Sequence, residues 1–180
     1  MTDTTALNRF LAGVERRAFR MARFKVNDVD EAMDIVQDTM MTLVRKYAAK
    51  PEEQWAPLFF RILQNRITDA HRKRSLHARF FSVFRPGDVD EPALDPIQSA
   101  ADGYSAEPDF QVSLLNTTTR LNKAVEDLPP RQQQAFLLRA WEGLSVADTA
   151  TAMSCSQGSV KTHYSRAVHS LRDTLQEDWP

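Results

Sequence analysis

Apolar residues recur at three- and four-residue steps along most of the chain, which is the spacing of helices that bury one side. Near the N-terminus the stripe consists of Leu7, Leu11, Val14, Ala18 and Met21. The alternation of apolar and polar residues that is typical of strands is missing from the sequence. The pattern therefore predicts an all-α protein.

Two further helices are predicted in the first part of the chain. Asp28 followed three residues later by Glu31 is a variant of the capping box, which marks a helix start. The apolar stripe of that helix ends before Lys50-Pro51, and it consists of Ala32, Val36, Met40, Leu43 and Tyr47. A third helix is predicted from about Trp55 to the basic run that begins at His71.

The helical period stops in the middle of the chain. Residues 78–118 carry 2 Lys and Arg against 7 Asp and Glu, and four prolines lie between residues 86 and 108. Such a composition is typical of a flexible linker. We predict two small helical domains, 1–77 and 110–180, joined by a flexible acidic linker over 78–109.

The second domain ends in a pattern that predicts a helix-turn-helix. Gly143 suits a left-handed helix cap, and Ser145 suits the N-cap of a short helix over Val146–Met153. A tight turn at Ser154–Ser156 leads into a longer helix from Gln157 to about Leu175.

The longer helix divides into an apolar side and a polar side. The apolar stripe is Val160, Tyr164, Ala167, Val168, Leu171 and Leu175. The polar side combines cations with short hydroxyls, which suits close approach to the major groove. The alternative is a merely solvated helix face, most open at Lys161 and His163. The expected DNA contacts are Ser159, Lys161, Thr162, Ser165 and Arg166.

Charge and cysteine content narrow the function classes. The net charge of −1 conceals a basic front, because residues 1–77 carry 14 Lys and Arg against 10 Asp and Glu. The single cysteine, Cys155, excludes an internal disulfide. Neither a metal-ligand spacing, a catalytic constellation, a phosphate loop nor a signal peptide is recognisable. We expect a cytoplasmic DNA-binding protein without enzyme activity, cofactor, metal or membrane contact.

Two surfaces of the first predicted domain, 1–77, contain further candidate binding residues. The second predicted helix turns Asp34, Gln37, Asp38 and Met41 away from its apolar stripe, and a methionine exposed among acids suits docking to a protein. A charged, solvated surface is the alternative. The third helix interleaves aromatic and basic residues like a platform for single-stranded nucleic acid, although core packing also explains aromatics. These residues are Trp55, Phe60, Arg61, Asn65, Arg66, His71 and Arg72.

Taken in order, these motifs resemble the extracytoplasmic-function (group 4) sigma factors of bacterial RNA polymerase. Asp34–Met40 resembles the family's D-x-V-Q-[DE] helix, which docks on the β′ coiled coil. Phe60–Asn65 and Asp69–Arg72 resemble the segment that melts and reads the minus-ten element. The resemblance to the minus-thirty-five domain lies in Leu128–Gln132, Trp141–Ser145 and Gly158–Ala167.

The resemblance implies a promoter-specificity factor that directs transcription initiation. Its partners would be core polymerase, through the β′ and β subunits, promoter DNA as duplex and melted strand, and an anti-sigma factor. The acidic linker would thread the polymerase RNA channel. Ser154 departs from the family, which often has Gly there. The rival interpretation is a stand-alone helix-turn-helix regulator that binds operators, which leaves the surface from Asp34 to Asp38 unexplained.

Overall fold

The computed structural model describes residues 4–26, 28–84 and 118–175, with residues 75–84 described by their backbone alone. Within these ranges all regular structure is helical, so the all-α prediction is confirmed. The helices are α1 Thr4–Arg23, α2 Val29–Tyr47, α3 Trp55–Phe84, α4 (118–126), α5 Pro130–Phe136, α6 Val146–Met153 and α7 Gln157–Leu175. A 3₁₀ turn, Glu52–Gln54, precedes α3, and a π-helical turn, Leu137–Trp141, follows α5.

The N-terminal domain consists of α1, α2 and α3, whose apolar stripes meet in one core. The whole predicted stripe of α1, from Leu7 to Met21, is buried. Asp28 caps α2 by accepting a hydrogen bond from the Glu31 N–H at 2.8 Å. Glu31 does not complete the capping box, because its carboxylate pairs with Arg74 of α3.

Aromatic rings fill the base of this core. Phe59 and Phe60 are both buried and pack edge to face, with ring centroids 5.4 Å apart. Phe10 of α1 reaches Phe59 at 5.9 Å and Trp55 at 6.0 Å. Pro57 is accommodated because it lies in the first turn of α3, where backbone N–H groups have no partner within the helix.

The C-terminal domain holds the helix-turn-helix in α6 and α7, as predicted. Gly143 adopts a left-handed conformation (φ 67°), and the Ser145 hydroxyl accepts from the Asp148 N–H at 3.0 Å. Ser154 ends α6 in a left-handed conformation, with φ 50° and ψ 49°. Ser156 then caps α7 by accepting from the Ser159 N–H at 3.1 Å.

The two domains are packed together, with α6 lying against α3. Arg17 of α1 pairs with Glu142 at 3.3 Å between Nε and Oε2. Beside this pair, Phe24 meets Trp141 edge to face at 5.6 Å.

The predicted linker falls mainly on residues 85–117, which lie outside the described ranges, so its flexibility stays a prediction. Its first residues are helical, because α3 continues to Phe84, beyond the predicted end of the first domain at residue 77. None of the helices in the described part of the chain is long and apolar enough to cross a membrane.

Candidate protein-docking and nucleic-acid interfaces

The predicted docking residues Asp34, Gln37, Asp38 and Met41 are all exposed on α2. Met41 is 54% exposed, a large fraction for so apolar a side chain. The structure therefore brings the four residues to one accessible helix surface.

α2 also exposes three apolar side chains that the sequence interpretation missed, namely Val29, Met33 and Val44. The sequence contained a signal for Met33 and Val44. At about 100° per residue, these two residues lie on one line along the helix, outside its buried apolar stripe. Beside them, a groove of about 460 Å³ separates α1 from α2 and is lined by Phe19, Met33 and Gln37 among others. The α2 surface is thus more apolar than its acids alone suggest.

Arg66 connects two surfaces that the sequence interpretation kept apart. Its Nη1 donates to Oδ2 of Asp38 at 2.8 Å, and its Nη2 donates to Oγ1 of Thr42 at 2.9 Å. The Thr42 hydroxyl donates in turn to the backbone carbonyl of Asp38 at 2.8 Å. A residue predicted to contact DNA is therefore bonded to a residue predicted to contact protein.

The expected aromatic platform on α3 is not formed. Trp55 and Phe60 are only 3% and 1% exposed, so neither ring can stack on a base in this structure. The physical reason is that both rings belong to the hydrophobic core, where Trp55 packs against Phe10 of α1 and Phe60 packs against Phe59. Core packing, which the sequence left open as the alternative, is what the structure shows.

The polar members of the predicted minus-ten set remain accessible. Asn65, His71 and Arg72 are exposed, and Arg61 is half-buried. Asn65, His71 and Arg72 line a cleft of about 610 Å³ between α3 and the C-terminal domain.

The cleft also has basic groups on its other walls. Arg131 of α5 lines it and donates to the Met153 carbonyl at 2.9 Å. Lys25 lies at its edge, where burial lowers the pKa of the ammonium group and the nearby carboxylates of Glu126 and Asp127 act in the opposite direction. Cations from both domains therefore face the same space, which is also lined by the carboxylate of Asp69.

The predicted DNA-reading side of α7 is open to solvent. Lys161, Thr162, Ser165 and Arg166 are exposed, while Val160, Ala167 and Leu171 of the opposite stripe are buried. This confirms the predicted division of α7 into a core side and an outer side.

Ser159 differs from the other four expected DNA contacts of α7. It is half-buried, and its hydroxyl lies 2.9 Å from that of Ser156, inside the helix cap. Any contact of Ser159 with DNA would compete with this hydrogen bond.

Two family models match the two domains of this chain. The family described as sigma-70 region 2 matches residues 9–77, which include most of α1, all of α2 and most of α3. The family described as sigma-70 region 4 matches residues 118–171, which contain the helix-turn-helix.

Curated relatives are similar over nearly the whole chain. The ECF RNA polymerase sigma factor SigD of Mycobacterium tuberculosis (strain H37Rv) is 25% identical over 96% of this chain and 78% of its own length. The ECF RNA polymerase sigma factor SigL of the Erdman strain is 29% identical over 88% and 82%.

Solved structures share the fold. The sigma factor RpoE from Bartonella quintana, crystallised with the anti-sigma factor NepR, aligns with a TM-score of 0.67 and 25% identity, covering 96% of this chain and 98% of RpoE. CnrH, solved with the cytosolic domain of CnrY, aligns with a TM-score of 0.60 and 18% identity over 98% and 92%, a likeness of fold alone.

Proposed function

Since this chain belongs to the sigma-70 family of RNA polymerase sigma factors, we propose which of its surfaces bind core polymerase and which bind promoter DNA. Its similarity over both regions makes it an extracytoplasmic-function sigma factor. The protein binds core RNA polymerase and directs transcription initiation by recognising promoter DNA. The assignments of individual residues below are proposals that the exposure and charge of the described residues support.

The α2 face is proposed to dock on core polymerase. Asp34, Gln37 and Asp38 offer hydrogen-bond acceptors, and Met41, about one turn further along α2, offers an apolar contact beside them. An apolar contact surrounded by polar groups is how many protein interfaces are built. The exposed Met33 and Val44 extend the apolar part of this face.

The cleft face of α3 is proposed to hold the melted minus-ten strand. Unstacking a base costs a few kcal/mol, and stacking on an aromatic ring returns roughly 1–3 kcal/mol. Because Trp55 and Phe60 are buried, the binding is left to Asn65, His71 and Arg72 of the cleft and to Arg61, which does not line it, through phosphate contacts and hydrogen bonds. Such binding depends strongly on salt. It also requires the C-terminal domain to move away, since that domain forms the opposite wall of the cleft.

The outer face of α7 is proposed to read duplex DNA at the minus-thirty-five element. Lys161 and Arg166 supply positive charge, and Thr162 and Ser165 permit close approach to base edges. Ser159 is proposed to contribute mainly through the start of the helix, where N–H groups favour a phosphate.

Four further assignments follow from the family and from the solved relative. We propose membership of group 4 of the sigma factors and activity in the cytoplasm, where polymerase acts. The segment 78–109 is proposed to thread the RNA channel of polymerase. Because RpoE was solved with NepR, an anti-sigma factor is a proposed partner of this chain as well.

The observation that carries the proposal is that one chain exposes both the acidic, methionine-containing face of α2 and the basic face of α7. The test is run-off transcription from a fragmented genomic library with core polymerase, with and without this protein. Start sites that depend on the protein are expected. If no start site depends on it, the assignment is wrong.

Variants test the docking face, because weaker binding to core polymerase should reduce run-off transcription. Asp34→Asn and Asp38→Asn are expected to weaken core binding, whereas Glu53→Gln removes an exposed acid outside the face and should not.

A gel shift addresses the rival function, since a stand-alone regulator shifts duplex DNA without core polymerase. A sigma factor that needs polymerase to hold both domains should shift promoter DNA only with core.

A further inference from the structure

We propose that Arg66 is a positioning residue for polymerase docking, which holds the Asp38 carboxylate of α2 in place from α3 instead of contacting promoter DNA. The inference rests on the proposed docking role of the α2 face. It changes the role that the spacing of basic residues on α3 predicts for Arg66.

The geometry of the guanidinium group carries the inference. Both of its Nη groups donate to α2, one to Asp38 and one to Thr42. Its Nε is buried and has no hydrogen-bond partner among the described residues. An arginine that reads DNA presents its planar fork to phosphate or to a base edge, whereas the fork of Arg66 is turned towards the neighbouring helix.

The contacts form a closed network that fixes the carboxylate. Arg66 holds Oδ2 of Asp38, and Thr42 links Arg66 to the backbone carbonyl of the same aspartate. The Asp38 side chain nevertheless stays 57% exposed, whereas that of Arg66 is 33% exposed. The carboxylate is therefore oriented and still accessible to a partner, which is the arrangement of a preorganised contact.

A second ion pair on the same two helices provides a control. Glu31 of α2 pairs with Arg74 of α3, about two helical turns from Asp38. It joins α2 to α3 as the Arg66 network does, but it involves none of the proposed docking residues. Breaking it tests whether any loss of α2–α3 contact weakens docking.

The experiment measures the affinity of the full-length protein for core polymerase by fluorescence anisotropy. Arg66→Gln is expected to weaken binding roughly two- to tenfold, the effect of releasing one immobilised side chain. Arg66→Lys should recover part of the loss, because an ammonium group can pair with Asp38 but cannot hold Thr42 in the same fork. Thr42→Val should weaken binding slightly, although Thr42 is not itself a proposed contact.

A double-mutant cycle separates the possible roles of Arg66. If Arg66 acts through Asp38, Arg66→Gln has little further effect once Asp38→Asn is present. Additive losses would overturn the inference, as would an equal loss for the Arg74→Gln control. Thermal unfolding of each variant, with affinities measured where all are folded, separates positioning from stability.

Two further outcomes distinguish this inference from the proposed function. If Asp38→Asn weakens core binding and Arg66→Gln does not, the inference fails and the docking face stands. If neither Asp34→Asn nor Asp38→Asn weakens binding, the docking face itself is wrong and the inference fails with it. Saturating core polymerase should restore run-off transcription to Arg66→Gln, and a persistent defect would identify Arg66 as a DNA contact.

Discussion

The contact between Arg17 and Glu142 should control how readily the two domains separate. The Glu142 side chain is only 2% exposed, and its Oε1 is buried without a hydrogen-bond partner in the described part of the chain. Arg17, which is 45% exposed, reaches the other oxygen from α1. Arg17→Gln therefore leaves a buried carboxylate without its cation.

The size of the effect follows from the separation and the exposure. Two unit charges about 4 Å apart attract by ~4 kcal/mol at an effective dielectric constant of about 20, and by ~1 kcal/mol in water. Because Arg17 is nearly half exposed, we expect a value near the lower limit, about 1–2 kcal/mol. As each 1.4 kcal/mol is about tenfold in an equilibrium constant, Arg17→Gln should favour domain separation by roughly tenfold at neutral pH.

The effect should depend on pH in a defined direction. Burial raises the pKa of Glu142 above its usual 4.5, and the charge of Arg17 opposes that rise. A carboxyl with a raised folded-state pKa contributes stability that is complete below 4.5 and is lost as the pH rises through the folded value. Near pH 4 the carboxyl is neutral and Arg17→Gln should have little effect. Above the raised pKa its full effect should appear.

Energy transfer between dyes on the two domains measures the separation. The exposed sites Glu53 and Arg172, changed to cysteine in a Cys155→Ser background, provide the labels. Glu142→Gln is the matched variant, because it removes both the buried charge and the pH dependence. An equal effect of Arg17→Gln at pH 4 and pH 7, or an undiminished effect in the Glu142→Gln background, would refute the electrostatic reasoning.

Three other substitutions test the fold and the DNA face. Ser154→Gly should stabilise the protein by about 0.5–1 kcal/mol in thermal unfolding. Glycine removes the strain of the left-handed backbone, and its greater conformational freedom in the unfolded chain offsets part of that gain. A lowered melting temperature would contradict the φ of 50°. Phe60→Ala should cost about 3–5 kcal/mol in urea unfolding because the ring is buried, and an unchanged midpoint would show that the ring is not in the core. Lys161→Gln should reduce the slope of log affinity against log salt by about 1 for promoter DNA bound by the holoenzyme; an unchanged slope would exclude a phosphate contact at this position.

The positions of the helices and most of their ends could be predicted because their causes are local, whereas α3 continues to Phe84, past the basic run at His71 where its end was expected. A stripe such as Leu7 to Met21 identifies the buried side of α1 wherever the partner helix comes from. The caps at Asp28 and Ser145 and the left-handed Gly143 depend on residues a few positions apart. The π-helical turn at Leu137–Trp141 was not predicted, since it inserts into a run whose apolar spacing is that of an ordinary helix.

The exposure of the α2 face and of the outer side of α7 was also predictable, because an exposed helix face is recognised as the complement of its buried stripe. The same reasoning failed for Trp55 and Phe60. An aromatic residue near basic residues can lie in a core or on a nucleic-acid surface, and its helix does not decide between them. For Trp55 the deciding contact is with Phe10, which approaches it from a helix far away in the sequence.

By itself, the sequence determined the helical class, the helix-turn-helix and the residue types that each surface offers, because these depend on period, capping and composition. Only the tertiary structure decided which of these side chains are exposed on each surface and which are buried or paired with another helix. The Arg66 network with Asp38 and Thr42, and the Arg17 pair with Glu142, join residues on different helices. These contacts form only when the helices pack in one particular arrangement, which is set by long-range contacts and by excluded volume. The spacing of residues along one helix does not encode that arrangement.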